Sequence, residues 1–259
     1  FCTAHLDSFS RTVVQKAIKE EKILVNGLAV KTGYILKPSD ILTINLEVSH
    51  EVQVPTGLAP EIKIPILYED RDVVVIDKPP GIAVHAGVGI QSGTIADWFL
   101  TRYPDAKGVG DFGRFGIVHR LDKDTSGVMI LAKNETAFTH LKKQFELRRV
   151  RKEYLALVFG VPGGKDGRIT RPIARSRRNP MRRAVDDAGK DSATEWVIER
   201  RFGSMYALLR VIPFTGRMHQ IRVHLHFLGY PIVGDSLYTF KRKRQPQGVK
   251  RQLLHAEHL

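Results

Sequence analysis

The sequence has a single cysteine, Cys2, so no disulfide can form within the chain. No stretch approaches the ~18 consecutive apolar residues that a membrane-spanning helix needs. These two absences argue against a disulfide-rich secreted domain and against a helical membrane protein. They favour a reducing, cytosol-like compartment, and we expect a cytoplasmic protein without a membrane partner.

Several motifs of common enzyme chemistries are also missing. The sequence contains no GxxxxGK[ST] loop and no GxSxG elbow, so the usual signals of nucleotide hydrolysis and of serine esterase chemistry are absent. The stretch HQIRVHLH, residues 219–226, is a candidate metal site if it forms a strand with His224 and His226 on one face. No cysteine pair or neighbouring carboxylate completes a tetrahedral set there. We therefore expect no metal, and we interpret the stretch as a strand facing an anionic groove.

Acidic residues are scarce relative to basic ones. The chain has 41 Lys and Arg against 27 Asp and Glu, a net charge of +14. The excess is uneven, because residues 1–62 carry six cations and seven acids, whereas residues 63–259 carry 35 cations and 20 acids. Clustered Lys and Arg bind phosphate and release counterions, so the larger segment is predicted to bind a polyanion, with nucleic acid as the leading candidate.

The first 47 residues have the pattern of a compact module. Ser10 is placed to cap a helix in SRTVVQKAIKE, whose apolar residues fall on one face. ILVNGLAV places Asn26-Gly27 between two apolar runs, which predicts a hairpin, and KPSDILTINL predicts a turn that leads into a strand. The module resembles an S4-type RNA-binding domain, with an opening helix that we expect to be incomplete at its start. A small structural cap is the alternative, since the module is not basic overall.

The remainder of the chain is predicted to be a linker followed by a sheet-rich domain. Residues 48–62 are of mixed polarity with Pro and Gly, as is typical of linkers. Residues 63–259 contain many short apolar runs between turn signals, among them DVVVIDKPPG, RFGIV, VMILAKN, EYLALVFG, TEWVIERR and YALLRVIPF. Asn134 is placed to cap a helix in NETAFTHLKKQFE. This predicts an α+β fold: a mixed, largely antiparallel β-sheet with flanking helices.

Two basic runs are candidate RNA-backbone contacts. Arg168–Arg183, RITRPIARSRRNPMRR, holds seven arginines and no acid, including Arg175, Arg177 and Arg178. KRKRQPQGVKR, residues 241–251, has a similar character. Neither run has interleaved aromatic residues for base stacking. We expect them to contribute affinity rather than sequence specificity, with a solvated charged surface as the alternative.

The stretch HRLDKDTSG, residues 119–127, is the strongest candidate for a catalytic loop. Asp122 and Asp124 could suggest the paired carboxylates of a glycosidase, but such pairs usually face each other across a sugar. Asp124 precedes Thr-Ser-Gly and is suited to accept backbone N–H bonds in a turn. Asp122 is the freer of the two candidates, and residue chemistry alone leaves the choice open.

A series of motifs in one order is more specific. HRLDKDTSG, together with VVVIDKPPGIAVH, KEYLALV, GKDSATEW, TGRMHQIRVHL, PIVGDSLY and LLHAEHL, resembles the RluA/RluD-type pseudouridine synthase family. The resemblance spans residues 63–259, and the module before it resembles the N-terminal domain of members that act on large-subunit ribosomal RNA. It implies isomerisation of uridine: the N1 glycosidic bond breaks, the uracil turns, and C5 bonds to the ribose. No metal and no small-molecule cofactor is expected.

The resemblance also implies roles for particular residues. Asp122 matches the catalytic aspartate, as nucleophile or as base; Tyr154 matches the active-site tyrosine; and Arg222 matches the basic residue that pairs with the aspartate. Arg120 matches an arginine associated with base flipping, with His119 expected to help and Arg217 expected to contact RNA. Ordinary packing of Tyr154 and phosphate binding by Arg222 are the alternatives.

Two hypotheses from different classes follow. The first is a monomeric RNA pseudouridine synthase, with ribosomal RNA as the expected partner and transfer RNA as the alternative. The second is a non-catalytic RNA-binding or ribosome-assembly factor with the same fold. The presence of Asp122, Tyr154 and Arg222 favours the enzyme.

Overall fold

The computed structural model describes residues 11–45, 62–87, 89–110, 113–240 and 244–259. Ser10, and with it the predicted helix cap, lies outside the described residues. The predicted linker, residues 48–62, lies outside them except for its last residue.

The described part of the N-terminal module, residues 11–45, has one helix and a three-stranded antiparallel sheet. Its elements are α1 (Arg11–Lys19), β1 (Ile23–Val25), β2 (Leu28–Ala29) and β3 (Leu42–Ile44), and the strand order is β2-β1-β3. Asn26 and Gly27 connect β1 to β2 with φ angles of 52° and 77°, as a tight hairpin turn requires. Val14, Ala17 and Ile23 form its small buried core. The predicted helix, hairpin and following strand are confirmed.

The larger domain is built on an eight-stranded sheet in the order β4-β5-β6-β13-β7-β12-β11-β8. Its strands are β4 (Ile66–Glu69), β5 (Val73–Lys78), β6 (Ser126–Ala132), β7 (Glu153–Phe159), β8 (Asp166–Ile169), β11 (Thr194–Phe202), β12 (Tyr206–Pro213) and β13 (Leu254–His258). All neighbouring strands are antiparallel except β6 and β13, which are parallel. The predicted mixed, largely antiparallel sheet is therefore confirmed.

Helices pack on the sheet over two buried clusters. They are α2 (Ile95–Arg102), a 3₁₀ turn (Pro104–Gly108), α3 (Glu135–Glu146) and α4 (Gln220–Phe227). The Asn134 side chain accepts the N–H of Ala137 and caps α3, as predicted. One apolar cluster lies around β5, β6 and α2, the other around β7, β12 and α4, and Tyr154 packs against both. This places Tyr154 where the two halves of the domain meet.

Two predicted strands were wrong. The run HQIRVHLH lies in α4 and not in a strand. Its residues 220–225 are all buried, which is possible for a helix surrounded by other elements, whereas a strand with one solvent-facing side would expose every second residue. The run RFGIV forms only an isolated bridge from Ile117 to Leu131. Phe115 and Gly116 have φ angles of 51° and 74°, so the chain turns where the strand was expected.

The first basic run is a hairpin. Strands β9 (Ile173–Arg175) and β10 (Arg183–Val185) pair antiparallel, with Arg175 opposite Arg183, and the arginine-rich connection lies between them. The second basic run begins at residues 241–243, which lie outside the described residues. No helix in the described ranges is long and apolar enough to cross a membrane.

Candidate active site

A cavity of about 600 Å³ opens at the junction of the two clusters. It is lined by side chains from the 119–125 loop, from β7 and from the start of α4. Six of the residues predicted to form the site lie on its wall: His119, Arg120, Asp122, Tyr154, Arg217 and Arg222. Residues that are far apart in the sequence therefore meet in one concave surface, which is the usual form of a binding site.

The centre of the cavity is a carboxylate held by an arginine. Arg222 Nη1 donates to Asp122 Oδ2 at 2.8 Å, across a separation of 100 residues. On its other side, Arg222 donates from Nε and Nη2 to the two carboxylate oxygens of Asp235, at 2.6 and 3.0 Å. Asp235 is fully buried, whereas Asp122 keeps 21% of its side chain exposed. The arginine is thus anchored from behind and directed at the more accessible carboxylate.

Electrostatics keep this arginine charged. Burial acts to lower the pKa of the Arg222 guanidinium, but the hydrogen bonds and charges of Asp235 and Asp122 outweigh burial and raise it. Asp235 was not predicted as a site residue. Its only sequence signal is an acid within the otherwise apolar and small-residue run PIVGDSLY.

The loop that carries Asp122 is fixed from below. Lys78, fully buried at the end of β5, donates from Nζ to the carbonyl oxygens of Pro79, Ile82 and Lys123 at 2.8 to 2.9 Å. Within the loop, the N–H of Thr125 donates to the Asp122 carbonyl. Burial lowers the pKa of Lys78 to about 8, although the charges of Asp124 and Asp122 act to raise it. The backbone beside the catalytic candidate therefore rests on a buried cation.

Asp124 has a different environment from the expected one. Among the described residues its carboxylate accepts no backbone N–H; instead its carbonyl oxygen accepts Nη1 of Arg251 at 3.3 Å. Its charge acts on the buried ammonium of Lys78. The structure thus separates the two aspartates, because Asp122 lines the cavity and Asp124 does not.

Tyr154 lies on β7 and lines the cavity next to Asp122. Its hydroxyl has no hydrogen-bond partner in the described part of the chain. Burial, and secondly the charge of Asp122, raises the pKa of Tyr154 above its ordinary value. The phenol therefore stays protonated, and its ring and hydroxyl are available to a bound molecule.

His119 is packed and hydrogen-bonded within the domain, whereas Arg120 is exposed. The His119 ring accepts the N–H of Ile130 at Nε2, 3.1 Å away, and stacks on Phe145 with centroids 4.8 Å apart. Burial, with Lys152 nearby, lowers the pKa of His119 to about 3, so the ring is neutral. Arg120 is exposed at the cavity mouth. Of the two, Arg120 is the one free to move toward a nucleic acid.

The remaining predicted arginines divide between the cavity and the hairpin. Arg217 lines the cavity and is anchored through Nε to the carbonyl of Asp191 at 3.0 Å. Arg175, Arg177 and Arg178 lie on the β9–β10 hairpin and not on the cavity wall. This hairpin packs against α4, so its exposed arginines extend the positive surface beyond the cavity.

Residues 219–226 are the candidate metal site of the sequence. In the described ranges no cluster of His, Cys, Asp and Glu could hold a metal ion. His224, one of the histidines of the candidate metal site, is fully buried and bonded to Thr194 and to the carbonyl of Arg171. It is a packed core histidine, so the metal interpretation of residues 219–226 has no support.

Comparisons with known proteins agree with this geometry. The family model described as RNA pseudouridylate synthase matches residues 72–227. An uncharacterised RNA pseudouridine synthase of Bacillus subtilis is 36% identical over 99% of this chain and 82% of its own length. The ribosomal large subunit pseudouridine synthase D of Xanthomonas campestris is 40% identical over 97% of this chain and 76% of its own.

A solved structure has the same architecture. Human RNA pseudouridylate synthase domain containing 1 superposes with a TM-score of 0.61 at 29% identity, covering 75% of this chain and 76% of its own. Residues 72–227, which the family model matches, include the loop of Asp122, the strand of Tyr154 and the helix of Arg222. The chain therefore belongs to the RNA pseudouridylate synthase family, the isomerases that convert uridine to pseudouridine in RNA.

Proposed function

We propose that this protein isomerises uridines in large-subunit ribosomal RNA, with Asp122, Tyr154 and Arg222 as its catalytic groups. The observation that carries the proposal is the chain of hydrogen bonds from Asp235 through Arg222 to Asp122 at the base of an open cavity. The choice of RNA rests on several relatives named ribosomal large subunit pseudouridine synthase D, at 36 to 40% identity. Their similarity covers nearly the whole chain.

Asp122 acts at the ribose. The reaction breaks the N1–C1′ bond and forms a C5–C1′ bond; C5 loses its proton and N1 gains one, either directly or by exchange with solvent. Asp122 either attacks C1′ or removes the proton of C2′, and both roles need an ionised carboxylate. Arg222 donates to Oδ2, so Oδ1 is the oxygen that would face the substrate.

Tyr154 and Arg120 serve the base. In this proposal the uracil stacks on the ring of Tyr154, which lines the cavity, and the Tyr154 hydroxyl serves proton transfer at C5. A stacked nucleotide does not expose its glycosidic bond, so the uridine must leave the helix. Arg120, which is exposed at the cavity mouth and adjacent to His119 in the sequence, would fill the space that the uridine leaves in the helix.

The rest of the chain supplies RNA affinity. The hairpin arginines Arg175, Arg177 and Arg178, together with Arg217, would contact phosphates around the target. The N-terminal module, residues 1–47, would act as an S4-type RNA-binding domain joined by the linker 48–62 to a catalytic domain of residues 63–259. Its helix-plus-hairpin arrangement supports this assignment. We further propose a cytoplasmic monomer; the single cysteine is consistent with a reducing compartment.

Mapping pseudouridines tests the proposal. Ribosomal and transfer RNA from cells of the source organism with and without the gene would be compared at nucleotide resolution. We expect one or more pseudouridines of large-subunit ribosomal RNA to disappear and to return with the wild-type gene but not with Asp122→Asn. Loss confined to transfer RNA, or restoration by Asp122→Asn, would refute the assignment.

A further inference from the structure

His219 begins α4 with an unusual backbone. Its φ and ψ angles are 58° and 19°, in the left-handed region that costs a residue with a side chain about 1 kcal/mol. Its side chain makes no capping hydrogen bond to the helix. Glycine or asparagine would suit this position better on backbone grounds. The start of the helix therefore does not account for an imidazole at this position.

The proton on this imidazole has a defined place. His219 Nδ1 is 2.8 Å from the hydroxyl of Tyr238, a side chain that is 2% exposed. The same hydroxyl oxygen already accepts the backbone N–H of Arg183 at 2.7 Å. The buried hydroxyl has one proton, and donating it to Nδ1 pairs that proton and leaves an N–H, instead of a lone pair, on the Nε2 side of the ring that faces the Asp122 carboxylate. The neutral ring then carries its own proton on Nε2.

Nε2–H is directed at the catalytic candidate but does not bond to it. The distance from Nε2 to Asp122 Oδ2 is 3.8 Å, which is beyond hydrogen-bond range. Burial lowers the pKa of His219, against the charge of Asp122, so the contact is not an ion pair at neutral pH. The His219 side chain is 9% exposed and lines the cavity. A largely desolvated donor thus lacks an acceptor in the described structure.

We propose that His219 is a further catalytic residue, whose Nε2–H donates a hydrogen bond to a carbonyl oxygen of the uracil of the target uridine. This inference rests on the proposed function of Asp122. When the N1–C1′ bond breaks, its electron pair moves onto the uracil and is shared with the carbonyl oxygens. A fixed donor beside the reacting ribose stabilises that charge more than it stabilises the intact nucleotide. No proton changes hands in this step.

Tyr238 is the positioning residue of this donor. Its hydroxyl fixes the tautomer of His219, and its ring lies against the Arg222 guanidinium with 5.1 Å from Cζ to the ring centroid. Because its oxygen binds the N–H of Arg183 on β10, the arginine hairpin is connected through one side chain to the catalytic donor. The role differs from that of Arg222, which holds the carboxylate itself.

Two substitutions of His219 distinguish the nitrogen atoms. The amide nitrogen of Gln reaches about as far as Nε2, whereas that of Asn reaches only about as far as Nδ1. The assay is single-turnover release of tritium from an in vitro transcript of large-subunit ribosomal RNA labelled at C5 of uridine, with enzyme at saturation. RNA affinity and thermal midpoints are measured in parallel for His219→Gln, His219→Asn, Tyr238→Phe and Asp122→Asn.

We expect His219→Asn to lose about 100-fold in rate, as is usual when one such donor is removed, and His219→Gln to retain most of the activity. Tyr238→Phe should fall between them because it frees the tautomer, and RNA affinity should change less than about twofold in all three. Equal rates for the Asn and Gln variants, whether high or low, would overturn the role of Nε2–H. So would an unchanged rate for Tyr238→Phe, which tests the tautomer even if a His219 variant is unstable.

The same series separates this inference from the proposed function. A wild-type protein that releases no tritium, or an Asp122→Asn variant as fast as wild type, would refute the proposed function. Activity that depends on Asp122 but not on His219 would refute only the inference about His219.

Discussion

Asp235 binds two nitrogens of the Arg222 guanidinium, and this determines which nitrogen Arg222 offers to Asp122. With Nε and Nη2 both directed at Asp235, Nη1 is the nitrogen that reaches the Asp122 carboxylate. The Asp235 carboxylate also accepts the backbone N–H groups of Leu237 and Tyr238, so the acid is itself fixed. Because the guanidinium is rigid and planar, fixing two of its nitrogens also fixes the third, which a lysine ammonium could not do.

Asp235→Asn should lower both stability and activity. The substitution leaves the buried Arg222 charge with the carboxylate of Asp122 but without that of Asp235, which we expect to lower the free energy of unfolding by about 3 kcal/mol. Single-turnover tritium release should fall with it, because Arg222 is no longer held toward Asp122. The matched control is Glu195→Gln, which breaks an exposed pair with Arg168 and should cost less than ~1 kcal/mol. Equal losses in urea unfolding for the two variants would contradict this role of Asp235.

Arg222→Ala should be nearly inactive, and Arg222→Lys should retain partial activity. Lysine keeps a positive charge near Asp122 but cannot bind both oxygens of Asp235 and Asp122 at once. The measurement is the single-turnover rate at saturating enzyme, so that affinity for RNA does not enter. Arg201→Ala, an exposed arginine on β11, is the control and should be unaffected. A wild-type rate for Arg222→Ala would mean that this arginine binds only phosphate.

Replacing Arg177 and Arg178 together with Ala should weaken binding to all RNAs alike. Contacts to phosphate carry no sequence information, so the plot of log affinity against log salt should become shallower by ~1 to 2 units. The control is the double substitution of Arg200 and Arg201 with Ala. These arginines lie near the C-terminal end of β11, whereas the opposite end of β11 pairs with Pro213 at the cavity wall. That control should leave the slope unchanged, and an effect on one RNA sequence alone would show that the hairpin reads bases.

Lys78 should make stability depend on pH in the alkaline range. Its pKa is about 8 in the folded protein and 10.5 ordinarily, so between these values the unfolded chain binds more protons. The free energy of unfolding should therefore rise as pH increases through this window. Urea unfolding of wild type and Lys78→Met near pH 7.5 and pH 10 measures the difference. An identical pH dependence in the two proteins would show that the buried amine does not titrate as described.

Local signals in the sequence predicted local structure well. The Asn26-Gly27 hairpin and the Asn134 cap each depend on a few adjacent residues, and both form as expected. The wrong strand prediction at residues 219–226 has a physical cause. Histidines two residues apart suggest one face of a strand, but six consecutive residues of α4 are buried, so the segment has no polar face that would reveal a helical period. Periodicity cannot distinguish the two when the whole segment is buried.

The site required more than local signals. Asp122, Tyr154 and Arg222 were identified from their resemblance to a family, and the structure brings their side chains to one cavity. Asp235 could not be found in this way because its function depends on a guanidinium 13 residues earlier and on full burial. The donor geometry of His219 likewise depends on Tyr238, which is distant from the recognised loop.

The most direct test of the account is the activity of Asp122→Asn. The purified variant and wild type would be compared in single-turnover tritium release from a large-subunit ribosomal RNA transcript labelled at C5 of uridine, alongside their RNA affinities and thermal midpoints. Because the carboxylate acts in the reaction and does not anchor phosphate, we predict no detectable release, with RNA affinity within a few fold of wild type. Full activity in a folded Asp122→Asn protein would contradict the assignment of the active site.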